Sequence, residues 1–259
     1  MMSYNGFDLS GRVAVVVGGT SGIGRTIARG LAEAGADVIP TGRRTELVDE
    51  AAKEVEAIGR RSLRMSCDVR DRGSLQALLD AAVAEFGKVD ILVNAAGQIK
   101  RTPFLEVEES EWNEILETNL TGAYRVSQVF GRHMVERKYG RIINIASLSS
   151  YVGLFEVAAY GASKSGLASL TRTLAIEWAR YGVCVNGIMP GVFRTALNEK
   201  LLDGTPRGQE FLMRTPMRRF GRVEELVGSA IFLASEAASF VTGTILQVDG
   251  GFLASGVNQ

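Results

Sequence analysis

The sequence predicts an α/β fold: one domain built on a doubly wound, seven-stranded parallel sheet with helices on both faces. Three observations lead there. Short β-branched apolar runs alternate with amphipathic segments from one end of the 259 residues to the other. The runs are apolar on both faces, as strands covered by helices on two sides must be. Between them, apolar residues recur at the spacing of a 3.6-residue turn, the mark of helices packed on a sheet.

The strand candidates are 13–17, 37–41, 62–67, 91–94, 141–146, 183–188 and 245–248, and the helix candidates are 23–34, 45–58, 74–86, 111–137, 160–180 and 223–234. Pro40 removes a ladder hydrogen bond from any interior strand, so it belongs near the end of its run. No Pro/Ser-rich linker, low-complexity tract or repeat divides the chain, which makes 1–259 a single domain. Residues 192–219 break the rhythm: the segment is long, charged and holds Pro206 and Pro216. Such an insertion reads as a substrate lid, with a plain surface loop as the alternative.

Bulk properties narrow the function. An apolar content of 46% supports a sizeable core. Lys and Arg balance Asp and Glu at 29 each, so no net field draws nucleic acid or an anionic membrane. No apolar stretch approaches the ~18 residues of a membrane span, and the N-terminus lacks a signal-peptide core, so the expected location is cytoplasmic. Cys67 and Cys184 lie in apolar, strand-like runs and read as buried free thiols in a reducing compartment. His133 is the only histidine, and its place on the polar side of a helix predicts a surface position. A multi-histidine metal site has too few ligands, and no metal is expected.

Gly18-Gly19-Thr20-Ser21-Gly22-Ile23-Gly24 directly follows the first strand and opens the first helix. Glycines let backbone approach a pyrophosphate, and the free N–H groups of a helix start favour an anion. At the end of the second strand, Gly42 stands where a ribose-binding carboxylate belongs, and Arg43 and Arg44 follow. An arginine there accommodates a 2′-phosphate, which favours NADP over NAD. The alternative is that both arginines are solvated first-turn residues. Asp68 and Val69 lie just past the third strand, with Asp68 placed to accept from an adenine amino group or to cap the next helix. Tyr160 and Lys164 are four apart in a helical segment, which sets a phenol and an ammonium on one face about 6 Å apart along the axis. The ammonium favours the tyrosinate and so lowers a phenol pKa that starts near ~10, preparing the residue for general acid–base work.

Together these elements resemble the short-chain dehydrogenase/reductase family over nearly the whole chain. The family's Thr-Gly-x-x-x-Gly-x-Gly pattern is present with Val17 in place of the threonine. Its Asn-Asn-Ala-Gly element stands as Asn94-Ala95-Ala96-Gly97, with one asparagine lost. Both departures lie where the glycine loop is tied to the neighbouring element. The resemblance implies a Rossmann fold and a catalytic set of Ser147, thirteen residues before Tyr160, with Tyr160 itself, Lys164 and Asn119. Tyr160 then acts as general acid or base, Ser147 orients the substrate oxygen, Lys164 holds the nicotinamide ribose, and Asn119 holds a water that relays protons through Lys164. Pro190-Gly191-Val192-Phe193-Arg194-Thr195 is similar to the segment that closes over the nicotinamide, with Thr195 at the carboxamide position. Asp249-Gly250-Gly251 is a further hallmark.

The implied activity is hydride transfer between NAD(P) and a secondary alcohol or ketone. Gln98, Leu148, Leu154 and Glu156 are expected to line the substrate pocket with Ser147 and Tyr160. The segments 214–216 and 252–256 resemble members that oxidise sugar acids, the gluconate 5-dehydrogenases, and Arg194, Arg207 and Arg214 of the lid are candidates to meet a carboxylate. A 3-oxoacyl-carrier-protein reductase shares these motifs and is the alternative. An idle nucleotide-binding regulator on the same fold is the alternative of another class. The resemblance also implies a homo-oligomer, as a tetramer, through the helices at 111–137 and 160–180.

Overall fold

The protein is described by a computed structural model over residues 4–194 and 199–257. The apolar runs fold into strands β1 (Val13–Val17), β2 (Asp37–Thr41), β3 (Ile91–Asn94), β4 (Gly140–Ile145), β5 (Val183–Pro190) and β6 (Ile245–Val248). They form one parallel sheet in the order β2-β1-β3-β4-β5-β6. The helices are α1 (Gly22–Glu33), α2 (Thr45–Ala57), α3 (Arg72–Phe86), α4 (Glu109–Leu116), α5 (Gly122–Arg137), α6 (Ala158–Trp178), α7 (Glu199–Leu202), α8 (Pro206–Arg214) and α9 (Val227–Ala234).

Strand alternation explains the two cores. Ala14 and Val16 of β1 point to one face and pack with Ile27 and Leu31 of α1 and Leu233 of α9. Val13, Val15 and Val17 point to the other, against Leu75 and Leu78 of α3 and Phe130 and Met134 of α5. Each such fully buried side chain contributes about 1.5–3 kcal/mol through removal from water.

The sheet has six strands among the described residues, where the sequence predicts seven. Residues 62–67 run beside β2 as extended chain without a continuous ladder. Val38 N–H donates to the Arg61 carbonyl at 3.1 Å, and Cys67 N–H donates to the Gly42 carbonyl at 2.9 Å. Midway between, Pro40 occupies the position that owes the outer segment a donor, and it has no N–H. Hydroxyls fill in: Ser62 Oγ donates to the Val38 carbonyl at 2.7 Å, and Thr41 Oγ1 to that of Met65 at 2.6 Å.

Other expectations are refined. The helix predicted at 111–137 is interrupted by a π turn at Glu117–Thr121. The segment 192–219 contains α7 and α8, with Thr205 Oγ1 capping α8 by accepting from Gly208 N–H at 3.0 Å. Its two ends are pinned together, since Gly221 N–H donates to the Val192 carbonyl at 2.9 Å. His133 is half-buried rather than a surface residue, and its Nε2 accepts from Val89 N–H at 3.2 Å. Burial lowers its pKa, which keeps the ring neutral and able to accept. Cys67 and Cys184 are buried free thiols. No helix among the described residues is long and apolar enough to cross a membrane.

Because the chain runs from β1 to β2 on one side and later returns to β3 on the other, a crevice opens at the C-terminal ends of β1 and β3. Gly18 and Ala95 stand at its mouth.

Candidate active site

The crevice begins with backbone. Gly18 adopts φ +81°, and its N–H and that of Gly19 both donate to the Thr41 carbonyl, at 2.9 and 3.0 Å. A Cβ on Gly18 would stand 2.5 Å from Ala96 N, and one on Gly24 2.2 Å from the Gly18 carbonyl oxygen. Only glycine permits this approach of loop, helix and β3. Ser21 precedes α1 without a side-chain cap, which leaves the first-turn N–H groups to an anion. These features fit a pyrophosphate. Arg43 and Arg44 are exposed at the start of α2. Asp68 is held by Arg70 at 2.7 Å, the main reason its carboxyl pKa is lowered. Val69 is buried and packs against Gly122, at the resumption of the helix after the π turn.

β3 ends in a polar network that the sequence analysis did not anticipate. Asn94 Nδ2 donates to Asn144 Oδ1 at 2.7 Å and to Ser127 Oγ at 3.2 Å. Asn144 Nδ2 in turn donates to Thr171 Oγ1 at 2.9 Å, whose hydroxyl donates to the Leu167 carbonyl at 2.8 Å. Ala95 N–H donates to the Val17 carbonyl at 2.8 Å, so backbone alone makes the tie across the two altered family positions.

The four expected catalytic residues converge. β4 leads into a short turn at Leu148–Ser150, where Ser147 Oγ accepts from Ser149 N–H at 3.2 Å and Ser150 Oγ donates to the Lys164 carbonyl at 2.9 Å. The Ser147 hydroxyl lies near enough to the phenol of Tyr160 to lower its pKa. Lys164, 5% exposed, donates from Nζ to the Ile145 carbonyl at 2.7 Å and lies 5.7 Å from the centre of the Tyr160 ring. Asn119, within the π turn, is fully buried. Its Oδ1 accepts from Gln98 N–H at 2.8 Å, and its Nδ2 donates to the Gln98 carbonyl at 2.9 Å and to Ser163 Oγ at 3.1 Å. Ser163 Oγ donates to the Tyr160 carbonyl at 2.7 Å. Ser163 therefore links the π turn to the catalytic helix, and its position next to Lys164 was its only sequence signal.

One electrostatic expectation is reversed. Burial raises the Tyr160 pKa, with the nearby Ser147 hydroxyl pulling it back in part. Burial also lowers Lys164 to about 8. The ammonium is turned to the Ile145 carbonyl, so desolvation rather than the neighbouring charge dominates the phenol.

On the substrate side, Leu148 is only 2% exposed and offers a ligand little surface. Gln98 Nε2 donates to the Glu114 carbonyl at 3.0 Å, which bolts the segment after β3 to α4. Leu154 and Glu156 line a cavity of about 490 Å³ with residues 102–106. Glu156 has φ +66°, uncommon for a residue with a side chain. Its carboxylate accepts from Arg101 at 2.5 Å and its carbonyl from Thr102 N–H at 2.9 Å. The lid arginines differ. Arg194 pairs with Asp203 at 2.5 Å, and Arg214 lies 3.9 Å from Glu210. Arg207 reaches the Phe155 carbonyl at 3.5 Å, and burial and the Arg101 charge lower its pKa.

Pro190, Gly191 and Val192 continue from β5 towards the lid, and a Cβ on Gly191 would stand 2.6 Å from Asp249 Cα. Asp249 holds its turn by accepting from Gly251 and Leu253 N–H, each at 2.9 Å. Thr195 lies outside the described residues. Among the described residues no three His, Cys, Asp or Glu side chains gather in a way that would hold a metal ion.

A family profile described as enoyl-(acyl carrier protein) reductase matches residues 17–253. The chain belongs to the short-chain dehydrogenase/reductase family. It is an oxidoreductase of that family with a Rossmann-type sheet. It is 42% identical to a 2-dehydro-3-deoxy-D-gluconate 5-dehydrogenase of Escherichia coli K12, over 98% of this chain and 100% of that one. It is 40% identical to the gluconate 5-dehydrogenase of Gluconobacter oxydans 621H, over 96% and 97% of the two chains. A crystal structure of a gluconate 5-dehydrogenase from Burkholderia cenocepacia J2315 with NADP and tartrate superposes with a TM-score of 0.93 at 40% identity, covering 97% of this chain and 98% of that chain.

Proposed function

We propose that this dehydrogenase transfers hydride between NADP and a secondary hydroxyl or ketone of a sugar acid. The observation behind the substrate class is the pair Arg101 and Arg207 beside the cleft, with Glu156 within reach of both charges. Glu210 also acts on Arg207 and is shared with Arg214, so three guanidiniums stand against two carboxylates and a positive balance is left for a carboxylate brought by substrate. The relatives named for gluconates support the same reading.

The glycine cradle of Gly18, Gly22 and Gly24, with Thr20, Ser21 and Ile23, fits the pyrophosphate, and Arg43 with Arg44 fits a 2′-phosphate. Asp68 and Val69 border the adenine side, Asn94 to Gly97 the middle, and residues 190–194 the nicotinamide. A dinucleotide held there supplies or accepts the hydride. The protein's own task is the proton. The raised pKa of Tyr160 keeps its phenol protonated at neutral pH, ready to donate as a carbonyl oxygen gains charge. Ser147 holds that oxygen, and Lys164 beside the ring favours the tyrosinate once the proton has left.

A screen of sugar acids, matched polyols and acetoacetyl thioesters with NADP and NAD tests the reading. Gluconate-type acids with NADP should give the highest kcat/KM, about tenfold above the polyols, and Arg207→Ala should erase that preference. A preference for thioesters would install the acyl-carrier-protein reductase instead, and no turnover with any substrate would make the protein a binder. Arg43→Ala should weaken NADP more than NAD; equal losses would overturn the 2′-phosphate assignment. We also infer a cytoplasmic homotetramer. Tyr124 on α5 and Ile176 on α6, 43% and 81% exposed, leave apolar surface on the helices expected to pair. A monomer by light scattering would exclude it.

A further inference from the structure

Glu156 is the one acid in the loop between Ser147 and the start of α6, four residues before Tyr160. Its backbone is held at φ +66°, a conformation that glycine adopts freely and that a side chain makes costly. The turn itself is fastened by main chain, since the Glu156 carbonyl accepts from Thr102 N–H at 2.9 Å. What the side chain adds is a carboxylate beside Arg101, which meets it through Nη2 at 2.5 Å. A single nitrogen makes that contact, so the rest of the guanidinium fork is open to a second acid.

Arg207 reaches the same loop from α8, donating to the carbonyl of the preceding residue, Phe155, at 3.5 Å. The charges of Arg101 and Arg207 therefore oppose each other across one loop. After burial, Arg101 is what lowers the Arg207 pKa, and Glu156 and then Glu210 counter it. Glu210 is shared with Arg214, 3.9 Å away. Lys100 is neutralised separately by Glu111 at 2.6 Å, and Glu106, on the cavity wall with Glu156, is exposed to solvent that screens it. Three guanidiniums against two carboxylates leave one unit of positive charge. Without Glu156 they would leave two.

We propose that Glu156 is a positioning residue for substrate charge: as the resident carboxylate on Arg101, it limits the site to sugar acids that bring a single negative charge there. The inference rests on the sugar-acid reading above and deepens it. A monocarboxylate matches the unit of charge that remains. A dianion such as a phosphate group exceeds it and meets Glu156 as a repulsive neighbour. The strained backbone fits this role, because a glycine would close the same turn without strain and without the carboxylate.

The experiment compares the full-length parent with Glu156→Gln, Glu156→Gly and Arg207→Ala at constant ionic strength and saturating NADP. It reads the melting temperature, kcat and KM for gluconate and a matched neutral polyol, and inhibition by acetate and by inorganic phosphate competing with gluconate. In Glu156→Gln the gluconate-to-polyol ratio of kcat/KM should rise about tenfold, through KM. Inhibition by phosphate should tighten more than inhibition by acetate, since a dianion gains twice from the charge removed. Glu156→Gly should shift both readouts in the same direction without a lower melting temperature, which separates the charge from the backbone. A ratio within about twofold of the parent in both variants overturns the proposal. So does a gluconate KM that rises in Glu156→Gln, which would mean that the carboxylate only holds Arg101 in place. If the parent shows no preference for acids over polyols, the sugar-acid reading fails and the assignment of Glu156 falls with it. If the parent prefers acids and Arg207→Ala erases that preference while the Glu156 variants leave it unmoved, only the assignment of Glu156 is lost.

Discussion

The two ends of the sheet both bury polar side chains, and they use them differently. At the N-terminal ends of the strands, the fully buried Asp90 has every oxygen engaged: Oδ2 accepts from Val13 N–H at 3.0 Å and pairs with Lys88 at 2.9 Å, while Oδ1 pairs with Arg137 at 3.1 Å. At the C-terminal ends, Lys164 and Asn119 are as deeply buried, but each keeps hydrogen-bonding capacity in reserve. A saturated network fixes strands β1 and β3 against α5. An unsaturated one faces a cleft and can exchange protons. Burial alone therefore does not mark a functional group; burial with spare valence does.

The strongest way to break this contrast is at the phenol. Tyr160→Phe removes the phenol that gives its proton to the substrate oxygen, so kcat should fall by about 10³-fold or more while NADPH still binds. Near-normal turnover would show that the unsaturated end is structural after all. Asp90→Asn makes the converse change. It leaves two cations facing a neutral amide in a buried site, and unfolding in urea should reveal a loss of about 3 kcal/mol with kcat per folded molecule unchanged. If kcat fell and stability did not, the two ends would have to exchange roles.

Lys164 sharpens the contrast through pH. Its folded pKa of about 8 lies below the unfolded value of about 10.5, so between these limits the unfolded chain binds more protons than the native one. The burial cost of the ammonium is therefore present below pH 8 and is relieved as pH rises towards the unfolded pKa. The parent should gain on Lys164→Met by about 2 kcal/mol between pH 8 and 10, measured as the difference of the two denaturation curves. A flat difference would mean that the amine is neutral, or well solvated, throughout.

How legible each end was follows from the same physics. The catalytic set could be read because spacing along one helix and at strand ends fixes Ser147, Tyr160 and Lys164, and glycines mark the phosphate cradle where no Cβ fits. What could not be read depends on partners distant in sequence. Asn119 sits in a π turn with its amide bonded to Gln98, before it in sequence, and to Ser163, after it. The missing seventh strand follows from Pro40 facing outward rather than inward, which only the register reveals. The lid arginines looked equivalent until Asp203 and Glu199 claimed Arg194. The reversed shift at Tyr160 comes from burial, which spacing does not report.

The smallest expected effect concerns a group that belongs to neither pattern. Asn94 Oδ1 is buried and has no hydrogen-bond partner. Its amide cannot simply turn over: Thr171 spends its hydroxyl proton on the Leu167 carbonyl and must accept from Asn144, which in turn presents Oδ1 to Asn94 Nδ2. Val17 is the register neighbour of Asn94 on β1 and shares its face of the sheet. Threonine has nearly the shape of valine and brings one donor to that spot. Val17→Thr should therefore stabilise the protein by about 1 kcal/mol, the net worth of one buried hydrogen bond. Val17→Ala, which changes volume without adding a donor, should destabilise. The decisive control is the background Asn94→Ala, where the acceptor is gone and the threonine hydroxyl has nothing to bond. There the same substitution should cost stability, and a gain that survived would mean that residue 17 acts through packing or the unfolded chain rather than through Asn94.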